Sequence, residues 1–528
     1  MTLVVASMLL AVPFVALHHV NTIDGPAHVL GGQLLGSLGN APVVRHYYDI
    51  SFSAAPNVLT QLLLTSLMTV VSPTWAEKLV VVAYIVAFPL AVRYAIMSVS
   101  RSAGWLALIS LPFVVSYMFL LGFYDFSYAM VGAMVAVGMA IRFRDRWTAW
   151  RTGALALVLV LTYAAHIVPM VMAVVIIATI TVVEAVGEWL DRRADGLVVP
   201  GHVRVHGVLP PMLAILPVMA LTIVFVVSGN GGGLSMQRKS LTSLVGGLAT
   251  LTLPTVSYSR VEIAAALLTA VALAVLAILA IRGVRRSRPS RLTIALAVAV
   301  VVCIVVYFAA PDDLGTGSYL NDRLSLFPPL VLLLACASVP MSARVWRAAG
   351  LVALGAALVA AGARLPTQTK YDRLVSEYLT VERAIPSGAT LVALRYSVFS
   401  PPLGDQRYKQ SDPLAHEASR VAADKGDVDL RHLEGQFAYY PDRFRPHLNR
   451  LADTYLNDSE VPPHVDLLGY NQSSGRPVEY VLVVGLNNAS TQIRNDPDTQ
   501  AIERALASQY VKVMVTAPTG LVDLYRHR

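Results

Sequence analysis

Charge is what this chain lacks most. Of its 528 residues only 14% are Asp, Glu, Lys or Arg, while 55% are hydrophobic. A soluble domain carries about 25% charged residues, so an ordinary water-soluble enzyme is excluded. Cysteine is nearly absent: Cys303 and Cys336 both fall in apolar runs, which excludes a disulfide framework and a thiolate metal cluster. There is no P-loop, zinc-type ligand spacing, nucleophile elbow or dinucleotide fingerprint, and ATP-driven transport by this chain alone is set aside. No basic n-region opens the chain and no small-x-small cleavage site precedes Asn21. The first apolar segment, 2–18, therefore reads as a retained helix and not a removed signal peptide. No internal repeat or low-complexity segment stands out.

What the chain has is a succession of apolar runs near ~20 residues, the length that crosses a bilayer as a helix. Eleven spans are expected, at 2–18, 75–95, 105–121, 123–141, 152–165, 167–190, 209–227, 261–281, 292–308, 324–339 and 345–361. The apolar stretch 152–190 is split at Ala165-His166, because a histidine in mid-bilayer is costly. With the N-terminus inside, 15 Lys/Arg fall in the inner loops or at the span ends beside them and 5 on the outer side, as the positive-inside rule requires. Ten spans would invert every loop after Ala165 and spoil that bias.

The net charge of +8 is not a nucleic-acid signal. From Pro366 onward 18 Lys/Arg face 20 Asp/Glu, and the excess of basic residues lies in the short inner loops. The expected organisation is a membrane module over 1–364 and a soluble domain over 365–528, placed outside the cytosol. Residues 390–396, 479–484, 511–516 and 521–525 read as strands and 498–509 as a helix, so the tail is expected to be a small α/β domain. The first outer loop, 21–74, carries two short amphipathic segments, 26–38 and 57–71, expected to lie in the membrane surface. A third such segment is 241–251.

The residues able to do chemistry gather at the outer face. Asp24 follows the first helix in Asn-Thr-Ile-Asp-Gly-Pro-Ala-His. As a plain structural residue it would cap the helix that starts at Pro26. As a functional one it is a carboxylate placed to take a proton from an acceptor hydroxyl. His28 lies four residues on, one helical turn from Asp24. Asp49, beside Tyr47 and Tyr48, is a candidate second carboxylate or metal ligand. His166 is either a wet turn residue or the polar lining of a substrate cavity. Arg323 opens a helix on the outer side against the positive-inside trend. It would either pair with Asp312, Asp313 or Asp322 or grip the phosphate of a lipid-linked donor. Arg238 and Lys239 could share that task. Asp125 reads as a turn residue.

The uncleaved first helix, the large outer loop with an early acid and two surface helices, the many spans and the terminal extracytoplasmic domain resemble the GT-C superfamily of membrane glycosyltransferases. Asn21 to His28, and Pro56-Asn57 at the second surface helix, resemble uncharacterised bacterial members. The resemblance implies transfer of a sugar from a polyprenyl-phosphate donor, with inversion, on the extracytoplasmic face of the bacterial plasma membrane. It places the catalytic acid of the first loop at Asp24. Many relatives show an acid pair there, whereas Gly25 stands beside Asp24 here. No metal ligand set is assigned, and a divalent cation is left open as the cofactor. The implied partners are the lipid-linked donor, a glycan, lipid or protein acceptor and membrane lipids. The competing readings are a lipid or polysaccharide transporter or flippase and a non-catalytic envelope assembly protein. Polar residues gathered at one face, without a repeat, favour the enzyme.

Overall fold

The computed structural model describes every residue except 38–41, 53–54, 195–204, 229–235, 287, 315–316, 398–411, 438, 446–447, 449–450 and 452–460. Among the described residues eight helices are long and apolar enough to cross a membrane: Pro73–Val99, Tyr124–Phe143, Ile167–Arg193, Gly207–Val227, Arg260–Arg286, Arg291–Ala309, Leu320–Ala337 and Ala343–Ala384. The other three expected spans come out as shorter apolar helices, Thr2–Ala16, Arg101–Val114 and Ala149–Ala165. The middle one begins as a 3-10 helix, Arg101–Ser110. Its rise of about 2.0 Å per residue lets few residues reach far. The break between Ala149–Ala165 and the next helix falls at His166, whose backbone is extended. Leu268, Val271, Val275 and Ile278 form an exposed apolar stripe along Arg260–Arg286. Such a stripe is at home in hydrocarbon, where helices satisfy their own backbone groups.

The chain forms two compact units. The first comprises Met1–Val12, Val82–Phe119 and Tyr124–Arg364. Within it Glu262 accepts hydrogen bonds from the N–H groups of Ser257, Tyr258 and Ser259 at the head of its helix. Arg364 donates to Glu262 at 2.8 Å and to the carbonyls of Val115 at 2.6 Å and Thr255 at 2.5 Å. This buried pair has partners on every side, the condition under which buried charge is tolerated.

The second unit comprises Pro13–Val81, Leu120–Phe123 and Leu365–Arg528, so the first outer loop clusters with the tail. Among the described residues the tail sheet has five strands, in the order Val428–Asp429, Thr390–Arg395, Tyr480–Val484, Val522–His527 and Tyr510–Val515. The first three run parallel and the last two antiparallel, with Val392 opposite Val481 and Leu482 opposite Leu524. Both central strands, Thr390–Arg395 and Tyr480–Val484, are buried along their whole length, as expected for strands covered on two faces. The expected α/β tail is therefore present, its strands and its Pro497–Gln509 helix within a few residues of their sequence-based bounds.

The first loop helix differs from its expectation as a membrane-surface element. Gly25–Ser37 is buried around most of its circumference. Its Val29, Leu30 and Leu34 share one hydrophobic core with Leu391, Val421 and Val483 of the tail. Its partner is Leu59–Met68, approached so closely that a Cβ on Gly32 would lie 2.8 Å from the Leu64 Cβ. Thr65 Oγ1 donates to the Gly32 carbonyl at 2.8 Å across that contact. The loop also gives a strand to the tail: Tyr48–Ile50 pairs antiparallel with Asp442–Phe444. The apolar face of Gly25–Ser37 that sequence reading assigned to lipid is taken up by protein, whereas Leu62 and Val70 of the second segment stay exposed.

Buried charge ties the same parts together. Arg420, almost fully buried, donates to Glu77 Oε2 at 2.6 Å, Glu417 Oε2 at 2.9 Å and the Val20 carbonyl at 3.3 Å. Burial pushes the Glu417 carboxyl up to about 7 although Arg420 opposes the shift. Removing one partner of such a set strands the others in a low dielectric, at a cost of about 3–5 kcal/mol. Arg420→Met is expected to lower the thermal midpoint of the detergent-solubilised protein by several degrees, more than Arg443→Met, whose side chain is only half-buried. A second expectation concerns Asp427, which burial raises from 3.8 to about 7 while it accepts from the Ala389 N–H. The folded state holds its proton more tightly than the unfolded state, so this group's contribution to stability falls as pH rises from about 4 to about 7. Melting Asp427→Asn beside the parent at pH 4.5, 6 and 7.5 should therefore show the variant gaining steadily on the parent.

Candidate functional site

Asp24 stands at the head of the Gly25–Ser37 helix, and its carbonyl accepts the first helical hydrogen bond from His28 N at 3.1 Å. Its own N–H donates to the Leu121 carbonyl at 2.9 Å, and Ile23 N–H donates to Leu120 at 3.3 Å. This close approach needs glycine: Gly122 has φ +90°, and a Cβ there would sit 2.6 Å from the Asp24 nitrogen. The backbone under Asp24 is thus pinned, while its side chain keeps 17% of its surface exposed. Nε2 of buried His416 lies 3.6 Å from Asp24 Oδ1. His416 was not singled out by sequence. It is remote in the chain from Asp24, and no local spacing signals the pairing.

His28 does not stay beside Asp24. Its imidazole is 2% exposed and turns into the tail, where Nδ1 forms an ion pair with Glu434 Oε1. Around this pair lie Gln61, His432 and Asp442, all buried. Gln61 Nε2 donates to Glu434 at 2.5 Å and to Asp442 at 2.8 Å, and His432 Nε2 is 2.7 Å from Asp442 Oδ2. Burial opposes ionisation of Glu434, yet His28, His432 and Gln61 outweigh it and hold the carboxyl below its ordinary value. Burial wins at Asp442 and raises it. Asp49 is exposed in the Tyr48–Ile50 strand, opposite Arg443. The structure gives it no place in this buried cluster.

In the first unit His166 and Arg323 do come together. Arg323 Nη1 lies 3.3 Å from His166 Nε2, and the guanidinium sits 5.9 Å from the Phe126 ring centroid. His166 Nδ1 also accepts from the Val168 N–H at 3.1 Å. Burial and the neighbouring arginine keep this histidine well below its ordinary pKa, so it is neutral at physiological pH. A neutral imidazole accepts at one nitrogen only, so it satisfies one of those two donors at a time.

Asp312 and Asp322 lie against Lys239. Lys239 Nζ is 3.1 Å from Asp312 Oδ1 and also pairs with Asp322 Oδ2. Burial opposes the lysine's charge, but the two carboxylates outweigh it and raise its pKa. Its charge is thus largely met within the chain. Arg238 is exposed, and Asp125, expected in a turn, opens the Tyr124–Phe143 helix as a buried residue. A separate cavity of about 1770 Å³ is lined by Arg144, Trp147, Glu184, Arg291 and Trp346, among others, at the loops read as inner. None of the sequence-assigned site residues lines it.

No protein-family model matches the chain, and no curated protein matches it. Among solved structures it is similar to two crystal structures of ArnT from Cupriavidus metallidurans, one in the apo state and one bound to undecaprenyl phosphate. Each matches at 12% identity with a TM-score of 0.49, over 99% of this chain and 97% of the other.

Proposed function

We propose that this chain is a membrane glycosyltransferase of the GT-C type, moving a sugar from a polyprenyl-phosphate donor to an acceptor on the extracytoplasmic face. The observation that carries the proposal is Asp24: a partly exposed carboxylate on a pinned backbone, at the head of a buried helix. A residue kept only to cap a helix does not need its flanking backbone locked by a glycine contact. A catalytic base does, because proton transfer depends on sub-ångström placement.

In this reading Asp24 takes the proton from the acceptor hydroxyl. The acceptor oxygen forms the new bond to the anomeric carbon from the face opposite the phosphate. The bond from that carbon to the phosphate oxygen breaks, and its electron pair leaves with the polyprenyl phosphate, so the configuration inverts. His416, near Asp24, would orient the carboxylate. Arg323 would offset the charge growing on the phosphate, an electrostatic role that a guanidinium fills well. Arg238 remains an accessory candidate. Lys239 is better suited to holding its acidic loop than to gripping a donor. Asp49 and His28 are not given substrate contacts. The tail would bind a glycan, lipid or protein acceptor.

Asp24→Asn should reduce transfer from a panel of radiolabelled polyprenyl-phosphate sugars by at least 100-fold in membranes, with the thermal midpoint of the purified protein nearly unchanged. Near-normal transfer by that folded variant removes the catalytic assignment and leaves the capping role. Arg323→Lys keeps the charge and loses the planar fork, and is expected to cost about 10-fold or more in turnover with its stability retained. A comparison of envelope glycans between deletion and parent strains separates the enzyme from its rivals. A transporter or flippase would leave its lipid-linked substrate accumulated and unmodified, and an assembly protein would leave the glycan bonds intact.

A further inference from the structure

The cluster around Glu434 is not used by the proposed transfer, and its composition is unusual for a protein interior. Two carboxylates and two imidazoles come together with at most 2% exposure each. A ligand atom from each of His432, Glu434 and Asp442 lies within 4.8 Å of the others. His28 adds a second imidazole through its ion pair with Glu434. Hydrophobic burial does not explain this set, because each group is costly to desolvate.

We propose that His28, His432, Glu434 and Asp442 form a buried site for one divalent transition-metal cation of zinc type, which fastens the first outer loop to the tail. The donor set is two imidazole nitrogens and two carboxylate oxygens, a ligand chemistry that suits zinc. Its charge also closes. Two carboxylates and a divalent cation sum to zero with both histidines neutral, so the filled site carries no net charge into the interior. Ligands around zinc sit about 2.0–2.2 Å from the ion, which puts a tetrahedral set about 3.4 Å apart; the three atoms from His432, Glu434 and Asp442 already lie within 4.8 Å of one another.

Two independent features point to a ligand in this place. The first is Gln61. Its amide NH2 is directed at both carboxylates at once, which is where a cation would be attracted, and its Oε1 is buried without a hydrogen-bond partner. His432 Nδ1 is likewise buried without a hydrogen-bond partner. The second feature is Gly31. A Cβ there would lie 2.3 Å from Glu434 Oε2 and 2.5 Å from Gln61 Nε2. The helix is therefore bare at the point where it passes the cluster.

The sequence holds no zinc motif because the ligands come from distant segments. His28 and Gln61 belong to the first outer loop, and His432, Glu434 and Asp442 to one short stretch of the tail.

The test uses the full-length protein, purified in detergent without a metal-binding tag. Elemental analysis should find about one zinc per chain. Stripping with a chelator should lower the thermal midpoint by several degrees, and zinc alone should restore it. Glu434→Gln and His432→Asn should each bring zinc below about 0.2 per chain. Asp498→Asn, which alters a half-exposed His464–Asp498 pair, should leave it near one. If a cluster variant fails to fold, competition between the parent protein and a chromogenic zinc chelator still reads the site. Parent protein that takes up no zinc from that competition, with the same midpoint stripped and reloaded, overturns the proposal. So does zinc lost equally in Asp498→Asn. The outcome is independent of the transferase reading, since it is read from metal content and melting and not from turnover.

Discussion

Arg420 is the charge around which the second unit is organised. A guanidinium cannot enter a protein interior alone, and the groups that accompany it come from three stretches of chain: Val20 and Glu77, which bracket the first outer loop, and Glu417 one helical turn away. Coulomb attraction in a low dielectric makes this set strong, and the same low dielectric makes it intolerant of a missing member. The loop is thereby held to the tail by partners that must all be present together. The hydrophobic core shared by Val29, Leu30, Leu34 and the tail sheet then closes over them.

That constraint reaches the candidate catalytic residue directly. Asp24 lies between Val20 and the Gly25–Ser37 helix, so its position is inherited from a segment anchored at both ends. The Gly122 contact fixes its nitrogen, and His416, one residue before Glu417, stands 3.6 Å from its carboxylate. On the tail, Glu417 and Arg420 of the structural set follow directly on His416, which faces the candidate catalytic acid. A tail that binds an acceptor is then coupled through its own packing to the acid proposed to act on that acceptor.

Two histidines singled out by sequence illustrate how neighbours decide chemistry. His166 ends a helix next to an arginine and is buried, so it is neutral. His28 is also buried but faces the carboxylate of Glu434. The same side chain meets opposite surroundings, one supplying positive charge and the other negative. Lys239 shows the third case, a cation largely neutralised by Asp312 and Asp322 within its own unit.

Much of the architecture was legible in the order of residues. Apolar runs near membrane length announced the helices, and His166 marked the break between two of them, because hydropathy and the cost of a buried polar group act locally along the chain. The alternation and apolar density of the tail announced its strands for the same reason. Asp24 and Arg323 were legible as charges out of keeping with their surroundings. What the order of residues could not reveal is which distant group each would meet. The apolar face of 26–38 is equally satisfied by lipid or by protein, and only packing against Leu64 and Val421 decided for protein. Arg420 with Glu77, Asp24 with His416, and His28 with Glu434 are separated by hundreds of residues. No periodicity or spacing encodes such pairs; they arise when the folded chain brings together charges that the interior will not accept singly.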